Sequence, residues 1–520
     1  MAVDVGTSRA ADSRTGGHRL IEIATGLCTY LVLTSLLWGG LVAPLGLAVV
    51  VLLYDCCWLY RSWSAGIMAI IAYRRMRRWQ ATDWLARAEA LPGFEALHHL
   101  VIVPTYCEPV EVLRATLSAL AEQDFPTERL AVMLGFEGRD RHGVDNARLL
   151  EQEFEGRFGY LWATFHPHID GEVAGKSSNQ AWAARIAKRR LIDEAGVDID
   201  CTTVTSCDAD SRLSPRYFSA LSCLFLTKPA QRIYQPIILF HSNVWRLPIP
   251  TRVLNSVHSY WQLAKLVRTD KLVPQSTYSM SFATCAGAGY WDVDVIPEDS
   301  HMFFKLLFHF GSEVRVEPIY LPVMADAAEA SGFWATLRSQ FNQEMRWAWG
   351  VSDIPYVLLG SSRTRSPGVG RQRYRALRYI EEHLTWPVGS FLLTFGGGAA
   401  LHNHAFAATH FGLVFPIVTG WIFSSSFGSM VILVVIDWIL RSHTAAKRSG
   451  WERVLRLAEW IALPTAGLVL SALPALVAHS RLLAGRYLQY RATPKLAPPS
   501  NAAVHSRLEP LLSPVAVAEQ

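Results

Sequence analysis

Three stretches of this chain contain no Asp, Glu, Lys or Arg: Ile23–Tyr54, Leu384–Ile436 and Trp460–Ser480. Each reaches the roughly 20 apolar residues needed to cross the hydrocarbon core of a bilayer. In lipid the backbone must satisfy its own polar groups, so these stretches are predicted to be helices. The first breaks near Gly39-Gly40 and Pro44 into two spans, about Leu20–Trp38 and Leu41–Tyr60. The second is 53 residues long and fits two spans or three short ones, with breaks at His402-Asn403-His404 and Ser424-Ser425-Ser426. Trp460–His479, interrupted by Pro464 and Pro474, adds another. Three to four helices are therefore expected over 383–485. One of these segments is a candidate re-entrant turn, since charge bias around the C-terminal loops does not fix the topology.

Between the two belts lies a polar block that carries most of the charge. The net charge of +5 over 520 residues is too modest to indicate a nucleic-acid partner. The basic residues instead flank the belts, as Arg74-Arg75-Met76-Arg77-Arg78 and as Arg363, Arg365, Arg371, Arg373, Arg375 and Arg378. Basic flanks favour the cytoplasmic side and attract anionic lipid headgroups. The block is therefore expected in the cytosol, against an inner or plasma membrane of bacterial type. The eight cysteines show no paired metal spacing and read as small buried residues or as reduced thiols of a cytosolic domain. The expected organisation is a disordered tail over 1–19, two transmembrane helices over 20–61 and an amphipathic interfacial segment over 62–97. A soluble domain over 98–354, a basic interfacial segment over 355–382, the helices of 383–485 and a tail over 486–520 complete it.

Within the soluble block, His99–Val103 ended by Pro104 reads as a buried strand, as do Leu130–Leu134 and Thr202–Cys207; Ala163–Phe165 fits part of another. Glu111–Glu122 and Asn179–Arg190 read as helices. Alternating strands and helices predict a parallel α/β sheet, whose ligands bind beyond the carboxyl ends of the strands. Thr202–Cys207 delivers Asp208 and Asp210 to such an end.

Three motifs follow in order. Asp208-Ala209-Asp210 can hold a hard divalent cation against a diphosphate, or can be a solvated strand-end turn. Pro297-Glu298-Asp299 supplies a carboxylate able to act as general base, or an acidic pair favoured at a helix N-terminus. Gln343, Arg346 and Trp347 share one helix face. Arg346 suits phosphate oxygens and Trp347 a sugar ring, while the bland alternative is an amphipathic helix with an interfacial Trp.

Together with Pro104-Thr105-Tyr106-Cys107-Glu108-Pro109 and Gly175-Lys176-Ser177-Ser178-Asn179, this ordered set resembles the membrane-embedded family-2 glycosyltransferases, which include cellulose, chitin and hyaluronan synthases. The resemblance covers about His98–Ile354 and loosely the flanking spans. It implies an α/β, glycosyltransferase-A type (Rossmann-like) cytosolic domain plus an α-helical transmembrane bundle. It also implies Mg2+ or Mn2+ as cofactor and a nucleotide-sugar donor. Thr105, Tyr106, Glu108 and Glu137 would contact base and ribose, and Lys176 and Asp208 the nucleotide, with Asp210 on the metal. Asp299 would be the base and Glu298 would orient the acceptor. Gln343, Arg346 and Trp347 would bind the diphosphate and acceptor sugar. The leading expectation is an inverting, processive enzyme that polymerises and exports a polysaccharide from a donor that is commonly a UDP-sugar in the family. Its alternative is a single-addition transferase with a lipid acceptor.

The sequence departs from the family pattern at several points. Only Glu137 stands where two acids are common, Lys176-Ser177-Ser178-Asn179 replaces K-x-G-N, and Pro297 replaces a threonine. A Cys-Gly element reads Cys285-Ala286-Gly287. No gating loop follows Q-x-x-R-W, and the short C-terminal remainder leaves no expectation of cyclic-dinucleotide control. A transporter or channel is the reading from another class. Against it, the spans hold only histidines (His402, His404 and His410 among them) and the edge acids Asp55, Asp437 and Glu459. No residue selects UDP over GDP, names the sugar or speaks to oligomeric state.

Overall fold

The computed structural model describes residues 16–363, 368–442 and 456–489. Most of both expected tails, Arg365, and most of the Arg441–Arg456 loop lie outside the described residues.

The soluble block folds around an eight-stranded sheet ordered β3-β2-β1-β4-β7-β6-β8-β5. Strands β1 (His98–Thr105), β2 (Leu130–Glu137), β3 (Tyr160–His166) and β4 (Thr202–Ser206) run parallel. The remaining strands are β5 (Arg212–Leu213), β6 (Arg232–Leu239), β7 (Tyr278–Ser281) and β8 (Arg315–Met324). Here β7 is antiparallel to both neighbours, β8 is parallel to β6, and β5 is antiparallel to β8. The sheet is thus mixed, where the sequence predicts a parallel one. Prolines at 236, 318 and 322 inside β6 and β8 hide these strands from pattern reading, and the β6–β8 register slips at Pro236/Ile237.

Period-2 alternation places β1 between two cores. Leu100 and Ile102 pack with the alanines of helix Lys176–Ala187, while Val101 and Val103 pack with Leu113, Leu117 and Leu120 of helix Val110–Ala121. Because β2 and β4 flank β1 on opposite sides, the chain leaves β1 in both directions. That arrangement opens a crevice at the carboxyl ends of β1 and β4. Strand β7 enters the same edge in the opposite sense, pairing Tyr278 with Ser206, so residues just before β7 lie beside Asp208.

Five helices are long and apolar enough to cross a membrane, within Gly16–Val42, Pro44–Ala81, Val369–Leu401, His410–Arg441 and Arg456–Leu483. The first two form a hairpin that turns at Ala43. The second runs unbroken for 38 residues. Ser62–Ala81, read from sequence as a separate interfacial segment, is its continuation: no proline interrupts it, and Ala65, Ala69, Ala72 and Met76 bury against the α/β domain. Small residues let the helices approach closely. A Cβ on Gly40 would lie 2.0 Å from the Ala399 carbonyl oxygen, and one on Gly396 would meet Val51 at 2.8 Å. Toward the α/β domain the bundle is stitched by ion pairs, Arg61–Glu381 at 2.8 Å and Lys265–Glu382 at 2.6 Å.

The fifth apolar segment differs from the others. It is one helical run, Arg456–Leu483, whose backbone passes through 3-10, α and π turns, with Pro464 and Pro474 inside it. At one end Glu459 accepts from Arg252 of domain helix Ile249–Lys265 (2.5 Å) and from Arg441 at the end of helix His410–Ser442 (3.4 Å). At the other, Arg19 in the first turns of helix Gly16–Val42 donates to the Leu482 and Leu483 carbonyls at 2.7 and 2.6 Å. In between, Ser471 accepts from Trp386 at 2.9 Å. The opposite end of the bundle is marked by Leu41, whose carbonyl accepts from Asn403 at 3.4 Å. Both ends of the fifth segment therefore lie on the α/β-domain side.

Candidate active site

At the carboxyl end of β4 the chain turns through Asp208-Ala209-Asp210. Lys176, the first residue of its helix, reaches into this turn. Its Nζ lies 2.6 Å from Asp208 Oδ1 and 2.8 Å from Glu298 Oε1, and donates to the Ser276 carbonyl at 2.8 Å. Burial alone would lower the proton affinity of the ammonium, but Asp208 and Glu298 outweigh it and hold Lys176 well above its ordinary value.

Glu298 and Asp299 open helix Glu298–Phe310. Asp299 accepts from two backbone N–H groups, Ser300 into Oδ1 at 2.7 Å and Ser276 into Oδ2 at 3.1 Å. Burial raises the proton affinity of Asp299, Lys176 and those N–H groups oppose the rise, and Asp208 adds to it. Burial likewise pushes Glu298 up to about 7, with Lys176 opposing and Asp299 and Asp208 reinforcing. Two carboxylates with elevated proton affinity beside a buried cation form a site able to hold and move one proton.

The adjacent strand ends carry a second group. Thr105 ends β1, and Tyr106 lies under the Arg139 guanidinium, 4.3 Å from its ring centroid. Cys107 adopts a left-handed conformation (φ 56°) and donates its N–H to Asp140 at 2.7 Å. Glu108 follows, half-buried. Glu137 ends β2, with Arg139 at 3.6 Å and His166 at 3.7 Å. Thr105 Oγ1 and Glu137 Oε1 are buried and without a hydrogen-bond partner among the described residues, as is Gln343 Oε1. Buried polar atoms of this kind call for a ligand or water.

Asp210 is buried and accepts from the Asp326 N–H at 2.9 Å. Among the described residues no group of three or more His, Cys, Asp or Glu is placed to hold an ion by itself. The donor set still suits a hard cation. Asp208 and Asp210 offer carboxylate oxygens from one turn, and Mg2+ or Mn2+ commonly completes such a pair with substrate phosphates and water.

Gln343, Arg346 and Trp347 lie on helix Phe333–Ala348, with Gln343 buried and the other two half-buried. The Trp347 ring meets His258 edge-on at 5.2 Å and Phe240 at 5.7 Å. His258 in turn bonds the buried Glu344 at 2.6 Å. The tie from this helix to the carboxylates is indirect. Tyr379, on helix Val369–Leu401, donates to the Gly350 carbonyl at 2.9 Å and meets Ser300 Oγ at 3.4 Å. His301 bridges Asp353 at 3.0 Å and Asp292 at 2.9 Å. Lys176, Asp208, Glu298 and Asp299 thus form one cluster, Thr105, Tyr106 and Glu137 line the neighbouring strand ends, and the Q-x-x-R-W residues join through the 349–353 turn.

Sequence reading missed Ser276, Asp140, His301, Asp353 and Tyr379. None stands in a recognisable motif; a buried-looking His two residues after Asp299 was the only signal present. Cys285, matched from sequence to a Cys-Gly element, is buried in helix Phe282–Gly287; Ser276 is the residue that meets the carboxylates, and Thr277 Oγ1 accepts from the Asp208 backbone N–H.

No protein-family model matches the sequence, and no curated protein matches it. Solved structures give distant similarities. A mannosyltransferase from Pyrobaculum calidifontis, in complex with GDP-Man and Mn2+, is 15% identical with a TM-score of 0.41, over 73% of this chain and 99% of that one. TarS 1–349 from S. aureus, in complex with UDP-GlcNAc, is 11% identical with a TM-score of 0.35, over 66% and 92%. The topology of this chain, a β3-β2-β1-β4 parallel half with the crevice at its strand ends and a mixed half beside it, is that of a Rossmann-like α/β domain. It is joined to a bundle of helices of membrane-spanning length.

Proposed function

We propose that this chain is an inverting membrane glycosyltransferase that builds a polysaccharide from a nucleotide-sugar donor and passes it into the membrane bundle. The observation that carries the reading is the Lys176–Asp208–Glu298–Asp299 cluster at the carboxyl ends of the parallel strands.

The donor occupies the crevice, its base and ribose along Thr105, Tyr106, Glu108 and Glu137, where Thr105 Oγ1 and Glu137 Oε1 are buried without a hydrogen-bond partner among the described residues. Lys176 and Asp208 turn from each other to the nucleotide. A divalent cation held by Asp210 beside Asp208 would neutralise charge on the leaving diphosphate. Asp299 takes the proton of the acceptor hydroxyl, whose oxygen bonds to the anomeric carbon as the bond from that carbon to the diphosphate oxygen breaks. The nucleoside diphosphate leaves with the electron pair, and attack from the opposite face inverts the centre. Burial suits Asp299 to this role by raising its proton affinity toward the working pH. Glu298 orients the acceptor, while Gln343, Arg346 and Trp347 hold the diphosphate and the acceptor sugar.

Four helices cross the membrane in this reading, with the α/β domain in the cytosol as the flanking arginines favour. The fifth segment lies along the cytosolic side, supported by its contacts with Arg252 and Arg19.

Purified protein incubated with labelled nucleotide sugars and Mg2+ or Mn2+ tests the proposal. Polymer is expected from wild type, with transfer by Asp299→Asn lowered at least about 100-fold while donor binding persists. A single lipid-soluble product identifies the single-addition alternative. An active Asp299→Asn removes the base assignment.

A further inference from the structure

Ser276 stands in the short link between Gln275 and β7, in none of the motifs that mark the site. Its φ of 60° lies in the left-handed region, one of three such non-glycine residues among those described. A serine has no intrinsic reason to adopt this conformation. The surroundings enforce it from both sides. Gln275 donates its N–H to the Gln235 side chain at 2.8 Å, which donates back to the Gln275 carbonyl at 3.2 Å. Thr277 Oγ1 accepts the Asp208 N–H at 3.2 Å and meets Ser211 Oγ at 2.8 Å. Strand β7 begins at once with Tyr278, paired to Ser206.

The consequence is that each polar group of Ser276 meets a different charged residue. Its N–H donates to Asp299 Oδ2 at 3.1 Å, its Oγ donates to Asp208 Oδ2 at 2.5 Å, and its carbonyl accepts from Lys176 Nζ at 2.8 Å. An extended φ would swing the N–H away from the carbonyl's present setting, so Asp299 and Lys176 would not be met together. Strained backbone held this firmly is characteristic of residues that set a site's geometry.

We infer that Ser276 is a positioning residue that fixes the base Asp299 relative to the donor-side pair Asp208 and Lys176, so that donor binding and base orientation are coupled through one strained residue. The inference rests on the proposed glycosyl-transfer reading. Oγ acts on the donor side, by holding Asp208. The backbone acts on the base side, through the N–H that Asp299 Oδ2 accepts.

Three variants separate the two arms. Ser276→Ala removes Oγ and keeps the backbone; Ser276→Val adds a β-branch that disfavours positive φ and moves the N–H; Ser276→Gly removes Oγ and frees the backbone. The readouts are UDP and GDP binding by calorimetry, and KM and kcat with the donor that wild type uses. Ser276→Ala is expected to weaken nucleotide binding and raise KM roughly tenfold, the loss expected for one hydrogen bond to a charged group. Ser276→Val is expected to lower kcat about tenfold or more beyond that, with Ser276→Gly in between. If Ser276→Val fails to fold, as circular dichroism would show, the KM-against-kcat split of the other two decides. Wild-type binding and kinetics in Ser276→Ala and Ser276→Gly overturn the inference while an inactive Asp299→Asn leaves the glycosyl-transfer reading standing. A wild type that neither binds a nucleotide nor transfers sugar overturns both.

Discussion

At the residue scale, the candidate site is a problem of charge compensation. Three carboxylates, Asp208, Glu298 and Asp299, share one buried ammonium, Lys176. Lys176 opposes the rise in proton affinity that burial imposes on both Glu298 and Asp299. Removing it therefore raises both further, and a base that must be unprotonated to act then requires a higher pH. In Lys176→Met, the acid limb of the kcat–pH profile is expected to move to higher pH. A limb that stays in place, or moves down, shows that the ammonium does not set the proton affinity of the base.

At the scale of elements, helix Glu298–Phe310 is pinned to the rest of the site through His301. Burial disfavours its protonated form, but Asp353 and Asp292 prevail and raise His301 to about 10 from 6.5. A folded-state value above the unfolded one stabilises the fold fully below about pH 6.5, and that contribution is lost as pH rises through about 10. His301→Ala, which strands the buried Asp353 while Asp292 keeps its ion pair to Lys305 at 2.6 Å, is expected to cost about 3 kcal/mol at pH 6 and to flatten the stability curve between the two values. Chemical denaturation at a series of pH values checks this; an unchanged slope contradicts it. Much at this scale is legible in the sequence. Strands β1 and β2 are announced by His99–Val103 and Leu130–Leu134, because buried parallel strands are continuously apolar, and β4 by the β-branched residues Thr202–Thr205 ahead of Asp208. Strands β6 and β8 are not, since their prolines mimic loops, and β7, Tyr-Ser-Met-Ser, has no apolar run at all. For the same reason the motif carboxylates could be picked out in the sequence, whereas Ser276, defined by a backbone angle, could not.

On the scale of the whole molecule, the charge-free belts announce helices but not their paths. Pro44–Ala81 leaves the bundle as one helix and becomes a wall of the α/β domain, and Arg456–Leu483, apolar enough to cross, keeps both ends on that domain's side. Hydropathy measures composition; the ion pair to Glu459 and the Arg19 bonds to Leu482 and Leu483 determine the path. In a cysteine-free background, Thr82→Cys and Arg486→Cys are expected to react with an impermeant maleimide from one face of the membrane, and Asn403→Cys from the other. Labelling of Arg486→Cys together with Asn403→Cys would mean that the fifth segment crosses.

The central claim, that the strand-end cluster transfers sugar from a nucleotide donor with Asp299 as base, is tested most directly by one paired assay. Wild type and Asp299→Asn are each given labelled nucleotide sugars with Mg2+ or Mn2+, and nucleotide release and product size are followed together. The expected result is nucleotide release coupled to a ladder or high polymer in wild type, with both lost in Asp299→Asn. Equal turnover by the two proteins, or no sugar transferred by wild type from any donor, would contradict the claim.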